Sequence, residues 1–210
     1  MLVTHIYLKK KVMSYTREKI ESAVKSKGYV WFEGAKDFDV NIVGVRNSAT
    51  GDKVTNVFDD TMTVSYKENG EWKFHQWSCT TDPGKKAMLE YHNANGVARL
   101  VEGQYRGSHT IGLHQGKYEA LRQAKNVKVY RDKDKDMQYD ENVIQEGIFG
   151  INIHRSSATG TSTFVENWSE GCQVFANVKD FEQFMTICKK AREIHGNSFT
   201  YTLIESSDIK

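Results

Sequence analysis

The run Thr61-Met62-Thr63-Val64-Ser65-Tyr66, the turn Glu68-Asn69-Gly70 and the return Trp72-Lys73-Phe74-His75-Gln76-Trp77 decide the fold class of this chain. Apolar and polar residues alternate at period two along both runs, the pattern of strands that pack one face. Asn-Gly between them supplies two residues that tolerate positive φ, which a two-residue hairpin turn requires. The stretch predicts an antiparallel hairpin, and with it a protein built mainly on β-structure.

Upstream, Thr16 to Lys27 reads as a surface helix. Thr16 is placed to cap it, Ile20 and Val24 sit four apart on one face, and Gly28 closes it. Tyr29 to Val45 (YVWF, then DVNIVGV) reads as strand, punctuated by Gly34 and Gly44. Downstream of the hairpin, Asp82-Pro83-Gly84 marks a turn. Short strand-like runs broken by Gly103, Gly107, Gly112 and Gly116 follow, then strands over Asn126–Tyr130 and Gly147–His154. A long helix runs from Asp180 through Ile194, closed by Gly196, and Phe199–Ile204 reads as the last strand. No repeat or low-complexity tract interrupts this order. The pattern predicts an α+β, mainly β domain with an N-terminal and a C-terminal helix. Residues 1–45 would form an extension with the first helix and strand packed on the main domain, 46–210.

Composition narrows the function. With 29 Lys+Arg against 27 Asp+Glu, the net charge is +2 over 210 residues. That balance lacks the basic excess of a nucleic-acid binder, and Lys9-Lys10-Lys11 reads as a solvated tail. No apolar run reaches the about 20 residues of a membrane-spanning helix, so no membrane insertion is expected. Three cysteines, Cys79, Cys172 and Cys188, cannot all pair, and in a chain of this length they are expected to be reduced. The N-terminus has its few apolar residues before its lysines, the reverse of a secretory signal. The chain is therefore expected to be made in the cytoplasm, with Met13 as an alternative start.

Chemistry concentrates in Asn167-Trp168-Ser169-Glu170-Gly171-Cys172-Gln173-Val174-Phe175. A cysteine preceded by glycine has little bulk crowding its approach. Upstream, a strand delivers His154 at the end of Gly150-Ile151-Asn152-Ile153-His154, and the polar loop 155–168 lets it fold back toward Cys172. A thiolate is the reactive form of cysteine, and a neighbouring imidazole removes its proton or stabilises the ion.

The order of these features resembles the L,D-transpeptidase (YkuD-type) family, in which a strand ending in Ile-His precedes a loop and Ser/Thr-His-Gly-Cys. Weaker similarity to that family's segments extends over Thr61–Tyr66, Ser78–Gly84 and Glu102–Tyr105, so that the resemblance covers about Val54 to Met185. Phe149-Gly150-Ile151-Asn152-Ile153-His154 and Trp168-Ser169-Glu170-Gly171-Cys172-Gln173-Val174-Phe175 are similar to a divergent phage and bacterial branch. The resemblance implies that Cys172 is the nucleophile and His154 its base. Ser169 and Gly171 would shape the turn, and backbone N–H groups near Cys172 would form an oxyanion hole. His114, Arg155 and Gln173 would contact substrate, which by the resemblance is the peptide stem of peptidoglycan. No cofactor is implied. Two positions depart from the pattern: Glu170 stands where the family has His, and Val174 where it has Arg. The implied reaction is acyl transfer through a thioester to an amine or to water. A phage-type lytic enzyme released to the cell wall at lysis fits a chain without a leader. The competing reading is a non-catalytic cell-wall-binding or virion-associated protein that keeps the fold.

Other residues read as less specific. Cys188 falls on the apolar stripe of the last helix, and Cys79 ends a strand. His109 and His114 flank a Gly-rich segment, either lining a cleft or as surface polar residues. No CxxC or HExxH pattern supports zinc. Asp132, Asp134, Asp136 and Asp140 alternate as in a calcium loop, but Met137 and Val143 replace the required glycine and glutamate. A solvated loop is expected there, with no metal needed for catalysis. Asp59 and Asp60 are adjacent on a strand and face opposite ways.

Overall fold

The computed structural model describes residues 14–90, 94–138 and 143–210. The Lys9–Lys11 run, the alternative start Met13 and Asp140 lie outside the described residues. The elements in chain order are α1 (Arg17–Ser26), β1 (Asn41–Arg46), β2 (Asp60–Glu68), β3 (Glu71–Thr80), α2 (Lys85–Glu90), β4 (Ala98–Leu100), β5 (Gly103–His114), β6 (Tyr118–Gln123), β7 (Val127–Arg131), β8 (Ile144–Gly147), β9 (Ile153–Arg155), β10 (Gln173–Phe175), α3 (Val178–His195) and β11 (Phe199–Glu205). Eight strands close into a barrel in the order β1-β11-β5-β6-β9-β10-β3-β2, and β4-β7-β8 form a separate small sheet. The mainly β expectation holds at this level. Two barrel pairings are parallel, β1 with β11 and β9 with β10.

The hairpin forms as its sequence requires. Asn69 and Gly70 both take positive φ, 53° and 80°, and Glu68 pairs with Glu71 across the turn. Along β3 the alternation divides two cores: Trp77 and Cys79 join the main cluster, while Trp72 and Phe74 pack against the cluster under α1. β1 is buried on both faces. Its Ile42 belongs to the main core, and Val43 and Val45 meet Ile20 and Val24 of α1. Each such side chain contributes roughly 1.5–3 kcal/mol on burial. The boundary expected at residues 45/46 thus falls inside a strand that closes the barrel. Gly44 lets Tyr201 cross the interior, because a Cβ there would lie 2.0 Å from the tyrosine hydroxyl. α3 contributes Phe181, Phe184 and Cys188 to the main core, alongside Trp77 and Phe175.

Several elements differ from expectation. Residues 29–40 form no strand. The side-chain amide of Asn41 bonds both N–H and C=O of Phe32 (2.8 and 2.9 Å), and Gln104 does the same for Val30 (3.0 and 2.8 Å). Side chains there replace a partner strand in satisfying the backbone. The stretch 147–154 is likewise not one strand: β8 ends at Gly147 and β9 begins at Ile153. Between them Gln123 Oε1 accepts from the N–H groups of Phe149 (3.0 Å) and Ile151 (2.9 Å), while Gly150 turns at φ +77°. Conversely, β5 runs unbroken through Gly107, where a register shift against β11 absorbs a positive φ of 58°. The helix α2 and the short strand β10, which directly follows Cys172, were not anticipated.

Candidate active site

Parallel pairing of β9 with β10 assembles the site. Val174 lies opposite His154 and Gln173 opposite Ile153, so Cys172 stands beside Asn152. The Asn152 N–H donates to Cys172 Sγ at 3.5 Å, and the thiol donates to Gly150 O at 3.2 Å. Side chains two apart on a strand share a face, which puts Cys172 on the same side of the pair as His154. Both line one cavity of about 550 Å³, together with His114, Tyr118, Arg155, Trp168 and Glu170.

Hydrogen bonds fix the protonation of both cavity histidines. His154 Nδ1 lies 2.8 Å from Arg155 O. A carbonyl only accepts, so Nδ1 carries the proton and Nε2 is the basic nitrogen. Asn152 Oδ1 accepts from the Gln123 N–H at 2.9 Å, which directs its Nδ2 to His114 Nδ1 at 3.2 Å. His114 therefore holds its proton on Nε2. The two imidazoles stack with centroids 4.2 Å apart. Tyr118 braces them, its hydroxyl 3.4 Å from His154 Nδ1 and its ring under the Arg155 guanidinium at 4.3 Å.

Burial keeps the reacting groups neutral. It pushes His154 down to about 3, with the neighbouring His114 adding to the shift and the bond to Arg155 O opposing it. It pushes the Cys172 thiol up to about 11, the Asn152 N–H opposing and the Glu170 charge adding. His114 is also lowered, by burial and then by Arg122 and Lys117. At neutral pH the resting pair is thus thiol and imidazole, not thiolate and imidazolium. A thiol attack from this resting state would need proton transfer to His154 Nε2 to accompany it rather than precede it.

The turn before Cys172 is fixed from behind. Ser169 is fully buried; its hydroxyl donates to Cys172 O at 2.8 Å and accepts from the Gly171 N–H at 3.2 Å. Its carbonyl takes the Gly84 N–H at 3.0 Å, and the Glu170 carbonyl takes that of Ala98 at 3.3 Å. Gly171 has φ +128°, and a Cβ on it would sit 2.2 Å from Ala98 O. Only glycine fits. The Gly171 amide is engaged by Ser169, while among the described residues the Cys172 amide makes no hydrogen bond and is the N–H next to the sulfur left to meet an oxyanion.

The structure therefore brings Cys172, His154, His114 and Arg155 to one cavity, and places Ser169 and Gly171 in the supporting turn. Gln173, expected at the substrate, points the other way. Alternation along β10 turns it into the barrel, fully buried, where it accepts from Tyr201 Oη at 2.8 Å and donates to Gly171 O at 3.2 Å. The chain matches no family model, no curated protein and no solved structure. Glu170 is exposed at the cavity rim with no cation paired to it among the described residues. His109 is neither cleft nor surface: it is wholly buried, bonded to Ser108 Oγ (2.8 Å) and Ile151 O (2.9 Å), and burial pushes it down to about 4. Cys79 and Cys188 are buried in the core. Asp60 is buried too, accepting from the Asn47 N–H at 2.8 Å and from both the N–H and the hydroxyl of Thr81 (2.7 and 2.8 Å).

Sequence reasoning missed Tyr118 and Asn152, which hold the histidines. The available signal was the spacing of His114 and Tyr118 across the turn residues Gln115, Gly116 and Lys117, which makes them facing partners. Carboxylate oxygens of Asp132, Asp134 and Asp136 lie within 4.8 Å of one another, on a loop that does not line the cavity.

Proposed function

We propose that the protein is a cysteine-dependent acyl-transfer enzyme of L,D-transpeptidase-like fold, acting on the peptide stem of peptidoglycan. The observation that carries this reading is that Cys172 and a His154 whose Nε2 makes no hydrogen bond among the described residues line one open cavity, with the resting thiol bonded to Gly150 O. In the reaction, the thiol proton passes to Nε2 as sulfur attacks the scissile carbonyl. The imidazolium then protonates the departing amine, and a thioester remains. Water or an amine attacks it, giving its proton to Nε2, and the thiol leaves reprotonated. Stacking on His114 and the bond to Arg155 O hold the imidazole in the tautomer this requires. Arg155 and Lys117 supply positive charge for an anionic group of the substrate.

One observation favours the second reading, a protein that binds cell-wall peptide without turnover: burial leaves both the thiol and the imidazole neutral and unactivated at rest. Mass spectrometry of purified muropeptides separates the two. A mass change made by the wild type and abolished by Cys172→Ala supports the enzyme and tells hydrolysis from transfer. Unchanged muropeptides, bound equally by both proteins, support the binder. Among the described residues no helix is long and apolar enough to cross a membrane.

A further inference from the structure

A second cavity, of about 350 Å³, opens where β5 and the end of α3 meet the irregular segment 29–40. It holds Arg106, while His114 of the cysteine cavity is eight residues further along β5, about 26 Å at the rise of a strand. The two cavities are therefore separate. Phe32, Phe38 and Phe199 give it an apolar patch within a mostly polar lining. On one side stand two cations. The Arg106 guanidinium lies 5.5 Å over the Phe32 ring, and the Lys125 ammonium converges with the Ser198 hydroxyl above Gly107, where a Cβ would sit 3.1 and 2.9 Å from them. Neither cation is ion-paired among the described residues. Asp39, half-buried, lines the same cavity and forms no ion pair with Arg106 or Lys125 among the described residues. The carboxylate is thus more than 4 Å from either cation's nitrogens and is left to meet a ligand. His195 is held by a bond from Nε2 to Asp37 O at 2.8 Å, and Phe32 by the Asn41 amide.

Opposite charges that are not paired with each other, beside a patch of phenylalanine, complement one class of ligand. We propose that this cavity binds a small zwitterion, a free amino acid or short peptide with both ends unblocked. The ligand's carboxylate meets Lys125, Arg106 and the Ser198 hydroxyl, its ammonium meets Asp39, and its side chain lies on the phenylalanines. Polar groups fix orientation while the apolar patch supplies burial. The inference is independent of the cysteine chemistry.

The test is an amide chemical-shift titration of the full chain with alanyl-phenylalanine, beside its N-acetylated and C-amidated forms. Saturable shifts are expected at Phe32, Gly107 and Ser198. Blocking either end should weaken binding about tenfold or more, since each removes a charge-assisted contact. Lys125→Met should reproduce the loss seen on amidation, and Asp39→Asn that seen on acetylation. If Asp39→Asn fails to fold, the acetylated dipeptide on the wild type tests the same contact. Equal binding of a blocked form overturns the proposal, as does the absence of saturable shifts at these residues up to about 10 mM dipeptide. Shifts confined to the cysteine cavity overturn it as well.

Discussion

Iodoacetamide reacts with the thiolate of a cysteine, so the pH profile of its reaction with Cys172 reads the electrostatics of the cavity. Burial and Glu170 hold the thiol at about 11, and burial holds His154 at about 3. At pH 8 a free cysteine near 8.5 is roughly one-quarter thiolate, and Cys172 about one part in a thousand. That is a deficit of about 240-fold. A more basic thiolate is also a better nucleophile, by roughly tenfold over this interval. The net expectation is alkylation about 20-fold slower than that of free cysteine at pH 8. The rate should rise about tenfold per pH unit to pH 10, with no inflection between pH 4 and 9. Mass spectrometry of the labelled peptide assigns the reaction, because Cys79 and Cys188 are buried and should stay unmodified in the folded protein. A plateau between pH 5 and 8 would refute the reasoning, since it would mean a thiolate–imidazolium pair at rest. Such a result would mean that the partly exposed Cys172 thiol is solvated well enough to ionise beside His154.

Three further outcomes follow from particular contacts. Glu170→Gln removes a charge that opposes the thiolate, so the alkylation profile should move to lower pH while turnover changes by less than about tenfold, or ~1.4 kcal/mol; a loss of several orders of magnitude would make the carboxylate a working part of the site. Gly171→Ala forces a side chain to φ +128° against Ala98 O and should lower stability by at least about 2 kcal/mol in urea unfolding, an unchanged midpoint contradicting the clash. His109 is held near 4 when folded and about 6.5 when unfolded, so the unfolded chain takes up its proton first. The stability this lends is complete above pH 6.5 and is lost as pH falls toward 4. Between pH 7 and 4.5 the loss from this residue is roughly 2 kcal/mol, and His109→Gln should show a pH dependence smaller by that amount.

Local pattern made the hairpin, the capped helix α1, the helix α3 and strand β11 legible, because each is specified within about 20 residues. Thr16 caps α1 by accepting from the Lys19 N–H at 3.3 Å, as its position before Ile20 and Val24 requires. The apolar run 29–32 carried the same local signal as a strand, yet the backbone of Val30 and Phe32 is satisfied by the distant amides of Gln104 and Asn41. No local propensity encodes that exchange. At the site, the order of residues along the chain was enough to expect Cys172 and His154 together, and both line one cavity. The direction of Gln173 was not, because it depends on the pleat of β10, a strand of three residues with no pattern long enough to show its period.

The sequence by itself determined the β framework, with the reduced cysteines and the candidate pair Cys172 and His154 as expectations. Those follow from residue type and short-range spacing. Tertiary structure alone decided that the strands close into a barrel and that β9 and β10 run parallel. It also decided that His114, Tyr118 and Asn152 surround the His154 imidazole and its neighbours, and that Cys172 and His154 both rest neutral. Those properties come from burial and from contacts between residues far apart in the chain, such as Ile42 with Tyr201 across β1 and β11 and His114 with Asn152 at the cavity. Burial is a property of the assembled surface rather than of any segment, so the state of a titrating side chain is set only when the chain has closed around it.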